Sequence, residues 1–268
     1  VFDNLYSYIY FFALLALVDS QVSRPYERLE RIPELSATDG MTYVLPIATV
    51  VGFALVWYVN IPGMQAATKL ITAISPSSAG IGANITAFEE LVARPAFAAQ
   101  EIREQLVSFA VSVAQSSQAT QEEKQRAVTL AFTEMQKQVN AYPQDAREHL
   151  QLSYVYRVVG DGTKVLSEIQ AAIALSPRKE SFWIEAGAVE WDMGNTEAAR
   201  KDFYTAYEFG KQFRDLAVYA AAGDIAVGDS AAADKVLREA YGTTEVDSDI
   251  LAVAYYRTKD WPRLIALW

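Results

Sequence analysis

The feature that most constrains the fold of this chain is a regular spacing of 34 residues in its C-terminal half. Three kinds of position repeat at this spacing: a glycine, an alanine and a large apolar residue. They are Gly160, Gly194 and Gly228; Ala172, Ala206 and Ala240; and Ile169, Phe203 and Leu237. A fixed period of this length indicates an array of similar units, each of which buries its apolar face against the next.

Thirty-four residues is the period of the tetratricopeptide repeat, in which two antiparallel helices are joined by a short turn. A glycine suits that turn because it adopts the left-handed conformation that ends a helix. Units are expected at residues 146–179, 180–213 and 214–247, and a partial unit at 248–268. We therefore predict an α-solenoid of tetratricopeptide-like helical hairpins over residues 101–268.

The later units depart from the first in two ways. Glu190 and Asp224 stand at the position that Tyr156 occupies in the first unit, where an aromatic residue is usual. The last unit ends on Trp268 without the polar surface that caps a solenoid, which predicts that the natural chain continues.

Residues 41–61, "MTYVLPIATVVGFALVWYVNI", form a long apolar stretch without a charge. A helix that crosses a bilayer needs about 20 such residues. Tyr43 lies near one end, and Trp57 and Tyr58 lie near the other, where membrane helices place aromatic residues. The alternative, a buried helix of a soluble domain, rarely runs this long without a charge. We predict a transmembrane helix here.

Residues 5–18 are also apolar and uncharged but shorter. A signal peptide has basic residues before its apolar region and a small-residue cleavage site after it, and this stretch has neither. We therefore predict a first transmembrane helix, entered from a loop of a longer protein that supplies further membrane helices before Val1.

The polar loop at residues 19–40 contains Arg24, Arg28 and Arg31. Arginines in a short loop favour a cytoplasmic position, which places the repeats outside the cytoplasm. A juxtamembrane helix that begins at Pro62 and a linker fill residues 62–100. The predicted fold is thus all-α, with two transmembrane helices followed by the solenoid. The expected location is the inner membrane of a bacterium, as a multi-pass protein in the lipid bilayer.

Composition excludes several functions. The formal net charge is −10, which disfavours a nucleic-acid partner because phosphate backbones need clustered Lys and Arg. The chain has no cysteine and one histidine, His149, so we expect no metal site and no cofactor. A nucleophile–base pair that uses histidine or cysteine is not apparent, and a Ser–Lys pair stays open. Asn84 begins a glycosylation-like triplet of a kind that occurs often by chance.

The candidate binding surface is the concave groove of the solenoid. First-helix positions of the first two units would line it and could hold an extended peptide or a glycan. These positions are Arg147, Leu150, Tyr154, Arg157, Ile184, Ala188 and Trp191. In the alternative interpretation, Tyr154 and Trp191 pack between helices and bind nothing.

The order of these parts resembles the C-terminal part of bacterial O-antigen ligase/polymerase family membrane proteins that carry a tetratricopeptide tail. The segment "FAAQEIREQLVSFA" at residues 97–110 is the most specific local match. The resemblance implies a glycan ligase or polymerase that handles polysaccharide linked to undecaprenyl diphosphate. It also implies that the catalytic loop lies before Val1, since no residue here matches that motif. A membrane-tethered tetratricopeptide scaffold without chemistry is the alternative hypothesis.

Overall fold

The computed structural model describes residues 5–22, 36–93 and 98–267, and all regular secondary structure within these ranges is helical. Part of the predicted loop, with Arg24, Arg28 and Arg31, lies outside the described residues. So do Phe97 and the chain end at Trp268. The chain divides into two units, residues 1–60 and residues 61–268.

The N-terminal helices are α1 (Leu5–Val22), a single turn α2 (Ala37–Asp39), a π-helical turn (Gly40–Val44) and α3 (Leu45–Ile74). One stretch of the described residues, Gly40–Ile74, has the length and composition needed to cross a membrane, with a mean hydropathy of 2.0 and no burial of its apolar window. The apolar part of α1, Tyr10–Gln21, is shorter than a span. Both transmembrane helices therefore stay predictions.

The segment after the apolar stretch differs from the prediction. Pro62 lies inside the continuous helix α3 instead of beginning a new one. A proline removes one backbone hydrogen bond, but the residues that follow it, from Met64 to Ile74, include good helix formers that continue the helix.

Part of the predicted linker is also helical. Helix α4 (Ile81–Val92) packs into the core through Ile85, Phe88 and Leu91, whose spacing gives one apolar face. The Asn84 side chain is buried, and its amide donates to the carbonyls of Ala73 and Ser75 at 2.7 Å each. Asn84 thus satisfies free carbonyls at the end of α3, which explains this residue structurally.

The remaining helices form five hairpins along the chain. They are α5 (Ala99–Gln115) and α6 (Gln121–Ala141); α7 (Ala146–Val159) and α8 (Gly162–Leu175); α9 (Glu180–Asp192) and α10 (Thr196–Phe209); α11 (Leu216–Ala226) and α12 (Ser230–Tyr241); and α13 (Asp249–Thr258) and α14 (Trp261–Ala266). The two helices of each hairpin pack on one another, and each hairpin packs on the next. This is the architecture of a tetratricopeptide-like helical repeat.

The 34-residue period has a direct physical origin. Gly160, Gly194 and Gly228 end the first helices of three hairpins at φ angles of 81°, 86° and 84°, a region that side chains with a Cβ rarely adopt. The repeated apolar positions, from Ile169 to Leu237, lie in the buried core between helices.

A second repeated contact ties the start of a hairpin to the turn before it. Trp183 Nε1 donates to the carbonyl of Pro177 at 2.8 Å, and His149 Nε2 lies 3.2 Å from the carbonyl of Pro143. His149 and Trp183 are 34 residues apart, as are the two prolines, so one interaction recurs with different side chains.

Candidate functional site

The candidate site is a groove of about 620 Å³ between α5 and α7, the first helices of neighbouring hairpins. Its lining combines an apolar floor with polar side chains at the edge. The lining residues are Val107, Ser108, Val111, Ala114, Gln115, Gln151, Tyr154, Arg157 and Val158.

Helical spacing explains why these residues reach the groove. In α5, Val107, Val111 and Ala114 follow one another at intervals of four and three residues, so they lie on one face of the helix. In α7, the opposite face is fixed in the core by Leu152 and Val155. The lining residues of α7, from Gln151 to Val158, recur at helical spacing on another face of the helix.

Tyr154 and Arg157 are held in place by one carboxylate of the next hairpin. The Tyr154 hydroxyl donates to Glu185 Oε1 at 3.3 Å, and Arg157 Nη2 donates to Glu185 Oε2 at 2.8 Å. Burial, together with the negative charge of Glu185, raises the pKa of Tyr154 to about 12. The phenol therefore stays neutral and acts as a hydrogen-bond donor at physiological pH.

Gln115 and Gln151 face the groove from opposite helices. Within the described ranges, neither side-chain amide has a hydrogen-bond partner. Each amide offers a donor and an acceptor, the two groups that a peptide backbone also presents. The groove therefore pairs apolar surface with free amides.

The structure does not bring all the predicted groove residues together. Arg147 is exposed and donates to Glu104 on α5, and Leu150 packs against the core. Neither lines the groove, because the contacts with Glu104 and with the core direct these two side chains elsewhere. Ile184 and Ala188 are half-buried on α9 and also lie outside its lining. The binding role of these residues stays a prediction.

Trp191 has a separate environment near the end of α9. Its ring packs edge-to-face on Phe203, with centroids 6.2 Å apart. The guanidinium of Arg257, on α13, lies 5.0 Å from the Trp191 ring centroid. Trp191 is therefore covered by another side chain of the same chain.

A buried polar cluster between α5, α6 and α7 was not predicted from the sequence. Arg103 donates to Glu134 and to Gln138, and Gln138 donates to Glu148 Oε1 at 3.2 Å. Glu148 is fully buried, and its second oxygen, Oε2, has no hydrogen-bond partner. Burial is the main cause that raises the pKa of Glu148, and the negative charge of Glu104 adds to it. The sequence carries no signal for these pairs, because they depend on how the helices pack.

Asp224 also has a role that the sequence did not reveal. It is fully buried, accepts from the Tyr204 hydroxyl at 2.7 Å, and has Arg200 Nε 2.8 Å from its other oxygen. Burial raises the pKa of Asp224, while both neighbours favour its charged form. The aromatic position of the repeat is thus filled by a carboxylate that is paired across the hairpin boundary.

Among the described residues, no group of three or more acidic residues and histidine could hold a metal ion. The described lining of the groove also contains no side-chain pair of the kind that activates a nucleophile. Its arrangement is suited to binding.

Comparisons with known proteins found similarity to solved structures only. No protein-family model matches the chain, and no curated protein matches it. Among solved structures, TTC0263, a thermophilic TPR protein in Thermus thermophilus, is 17% identical, with 72% of this chain and 98% of that chain covered and a TM-score of 0.47. MamA is 16% identical, with 59% of this chain and 85% of that chain covered and a TM-score of 0.44.

Because these TM-scores are low, the description of the repeats rests on the period and the helix order of this chain. The resemblance to O-antigen ligase/polymerase proteins, with its lipid-linked glycan, stays a prediction from the sequence.

Proposed function

We propose that this chain is a membrane-tethered helical-repeat scaffold that binds an extended peptide segment of a partner protein in the groove between α5 and α7. The observation that carries the proposal is the combination of an apolar floor with two glutamine amides that lack partners among the described residues. An extended peptide fits this combination, because its backbone needs donors and acceptors while its side chains need apolar surface.

The charge of the groove favours an uncharged peptide segment. Arg157 is the one charged residue of the described lining, and its guanidinium is already bound by Glu185. A peptide carboxylate or ammonium group would therefore find no free counter-charge in that lining. Small apolar side chains at alternate positions suit the floor formed by Val111, Ala114 and Val158.

Anchoring in the inner membrane of a bacterium is part of the proposal. The stretch Gly40–Ile74 supports it by length and composition, and the apolar helix α1 is proposed as a second span. The arginines at positions 24, 28 and 31 support a cytoplasmic loop, which leaves the repeats outside the cytoplasm. Cysteine labelling at Ser77 tests this orientation: protection of an introduced cysteine from reagents added outside the inner membrane would contradict it.

The groove is tested by filling it. The whole chain, held in lipid nanodiscs, is used to select binders from a displayed library of unstructured nine-residue peptides. Ala114→Trp places a large ring in the groove, whereas Ala231→Trp adds the same ring at an exposed position of α12 as a matched control. Selected peptides are expected to lose roughly tenfold or more in affinity for the first variant, since about 1.4 kcal/mol corresponds to a factor of ten.

The control variant is expected to bind as the parent chain does. The proposal fails if no peptide is enriched, or if the selected peptides bind both tryptophan variants equally well.

A glycan ligase or polymerase is a second candidate, and the sequence resemblance over the two predicted spans and the repeat tail is what favours it. In that case the chain is the anchor and repeat region of a larger enzyme, and the chemistry belongs to a part before Val1. Eight or more further membrane spans with a long Arg/His-containing loop upstream would support this candidate. A start codon directly before Val1 would exclude it.

A further inference from the structure

Two helices that are far apart in sequence are joined by one arginine. Arg257 Nη2 on α13 lies 2.6 Å from Asp192 Oδ1 on α9, and the same guanidinium covers the neighbouring Trp191 ring at 5.0 Å. Three helices, α10 to α12, lie between these residues along the chain. The contact therefore closes the end of α9 with a side chain from the last hairpin.

The environment of Trp191 is that of a guanidinium-binding site. A planar guanidinium is attracted to the face of an indole and forms a charge-assisted hydrogen bond to a carboxylate. The Trp191 ring is oriented by its edge-to-face packing on buried Phe203. The ring and Asp192 thus present both elements of the site from one helix, independently of α13.

The occupant of this site is held weakly. The side chains of Arg257 and Asp192 are 41% and 55% exposed, and exposed ion pairs and exposed cation–π contacts each shift a population by only about two- to fivefold. A guanidinium of a partner competes with Arg257 for the same two contacts, and occupation by Arg257 lowers its apparent affinity by roughly the product of these factors.

We propose that Trp191 and Asp192 form a binding site for an arginine side chain of a partner peptide, and that Arg257 occupies this site in the free chain. The acidic character of the chain, with a net charge of −10, agrees with a cationic partner. The inference does not rest on the groove between α5 and α7, because Trp191 lies outside the lining of that groove.

Removal of the internal occupant tests the proposal. The probe is the peptide acetyl-Gly-Arg-Gly-amide, titrated into the whole chain in nanodiscs, with acetyl-Gly-Gln-Gly-amide as the uncharged control. Arg257→Met keeps an unbranched apolar side chain and removes the guanidinium and its charge. The variant is expected to bind the arginine peptide about tenfold more tightly than the parent chain, because the site is no longer occupied by a side chain of the same chain.

Two further variants make the result specific. Arg238→Met removes an exposed arginine of α12 and is expected to leave the affinity unchanged. Trp191→Leu combined with Arg257→Met keeps an apolar side chain on Phe203 without the indole face, and is expected to lose the gain in affinity. Amide exchange of α9 and α13 verifies that each variant is folded.

The inference is overturned if Arg257→Met binds the arginine peptide no more tightly than the parent chain. It is also overturned if the double variant or the glutamine peptide binds equally well. Ala114→Trp separates the two proposals, because it blocks the groove and leaves the affinity for the arginine peptide unchanged.

Discussion

The substitution Gly187→Ala tests a close contact between α9 and α10. Gly187 is buried in the middle of α9, facing α10. A Cβ atom added there would lie 2.6 Å from two ring carbons of Phe203 and 3.1 Å from the carbonyl oxygen of Ala199. Cβ contacts under 3.0 Å essentially never occur, so the Phe203 ring has to move.

The ring has little room to move. Phe203 is buried, and it packs between Trp191 and Tyr219, with centroid distances of 6.2 and 5.9 Å. Its other side faces Gly223, where an added Cβ would also lie within 3.3 Å of the ring. A shift of Phe203 therefore disturbs α11 as well as α9.

The expected loss follows from two opposing effects. Overpacking a filled core costs about 1–3 kcal/mol. Because the Phe203 ring has little room to move, we expect a cost near about 3 kcal/mol at this site. Replacing a mid-helix glycine by alanine returns about 1 kcal/mol in backbone entropy. The free energy of unfolding is thus expected to fall by about 2 kcal/mol, which with a urea slope of about 2 kcal/mol per molar lowers the midpoint by about 1 M.

The assay is urea unfolding of the detergent-solubilised chain, followed by far-ultraviolet circular dichroism, with amide exchange to locate the loss in α9 and α10. Gly162→Ala is the matched control, because its Cβ would meet only the Met193 side chain, at an ordinary 3.5 Å. The control midpoint is expected to change by less than about 0.3 M. Phe203→Leu in the Gly187→Ala chain should recover part of the loss, since the two sites are coupled. An unchanged midpoint for Gly187→Ala would refute the close approach of α9 and α10.

Three further substitutions test buried polar groups. Burial raises the pKa of Glu148 above its ordinary 4.5, so Glu148 ionises at lower pH in the unfolded chain, and the free energy of unfolding falls as the pH rises above 4.5. Glu148→Gln is therefore expected to raise the urea midpoint at pH 7.5 but not at pH 4. A lower midpoint at both pH values would contradict this expectation. Tyr204→Phe removes the hydroxyl donor of buried Asp224 and is expected to lower the free energy of unfolding by about 1–3 kcal/mol, measured by the same unfolding curve. Asn84→Ala leaves carbonyls at the end of α3 without their donor; it should speed proteolysis between Ser75 and Gly80, and an unchanged cleavage rate would count against the capping role.

The order of the hairpins could be predicted from the sequence because each turn between their helices makes the same demand on its backbone. A turn that needs a positive φ at its glycine can be satisfied by few other residues, so Gly160, Gly194 and Gly228 mark the hairpins in the sequence. The first turn of helix α4 was assigned to the linker because the serine- and glycine-rich segment before it runs directly into Ile81 and Gly82.

The contacts that shape the candidate sites had no comparable signal. The period placed Trp191 at an inward-facing position, but its partner Arg257 lies on another hairpin, and the linked Asp192–Arg257 pair is separated by 65 residues. The carboxylate of Asp224 looked like a departure from the repeat, whereas it is paired with Tyr204 and Arg200 of the preceding hairpin. Such pairs depend on the crossing of helices, which a single sequence does not record.

The ring-to-proline contacts at His149 and Trp183 join two successive hairpins, α7–α8 and α9–α10, to the preceding turn in the same way. Donor and acceptor lie six residues apart in both cases, so a segment that is duplicated or deleted in steps of 34 residues brings its own tie to each new junction. The same contact accepts an imidazole or an indole, so a unit can diverge while the junction is kept. The number of hairpins can therefore change by whole units, and the length of the inner surface that they present changes with it.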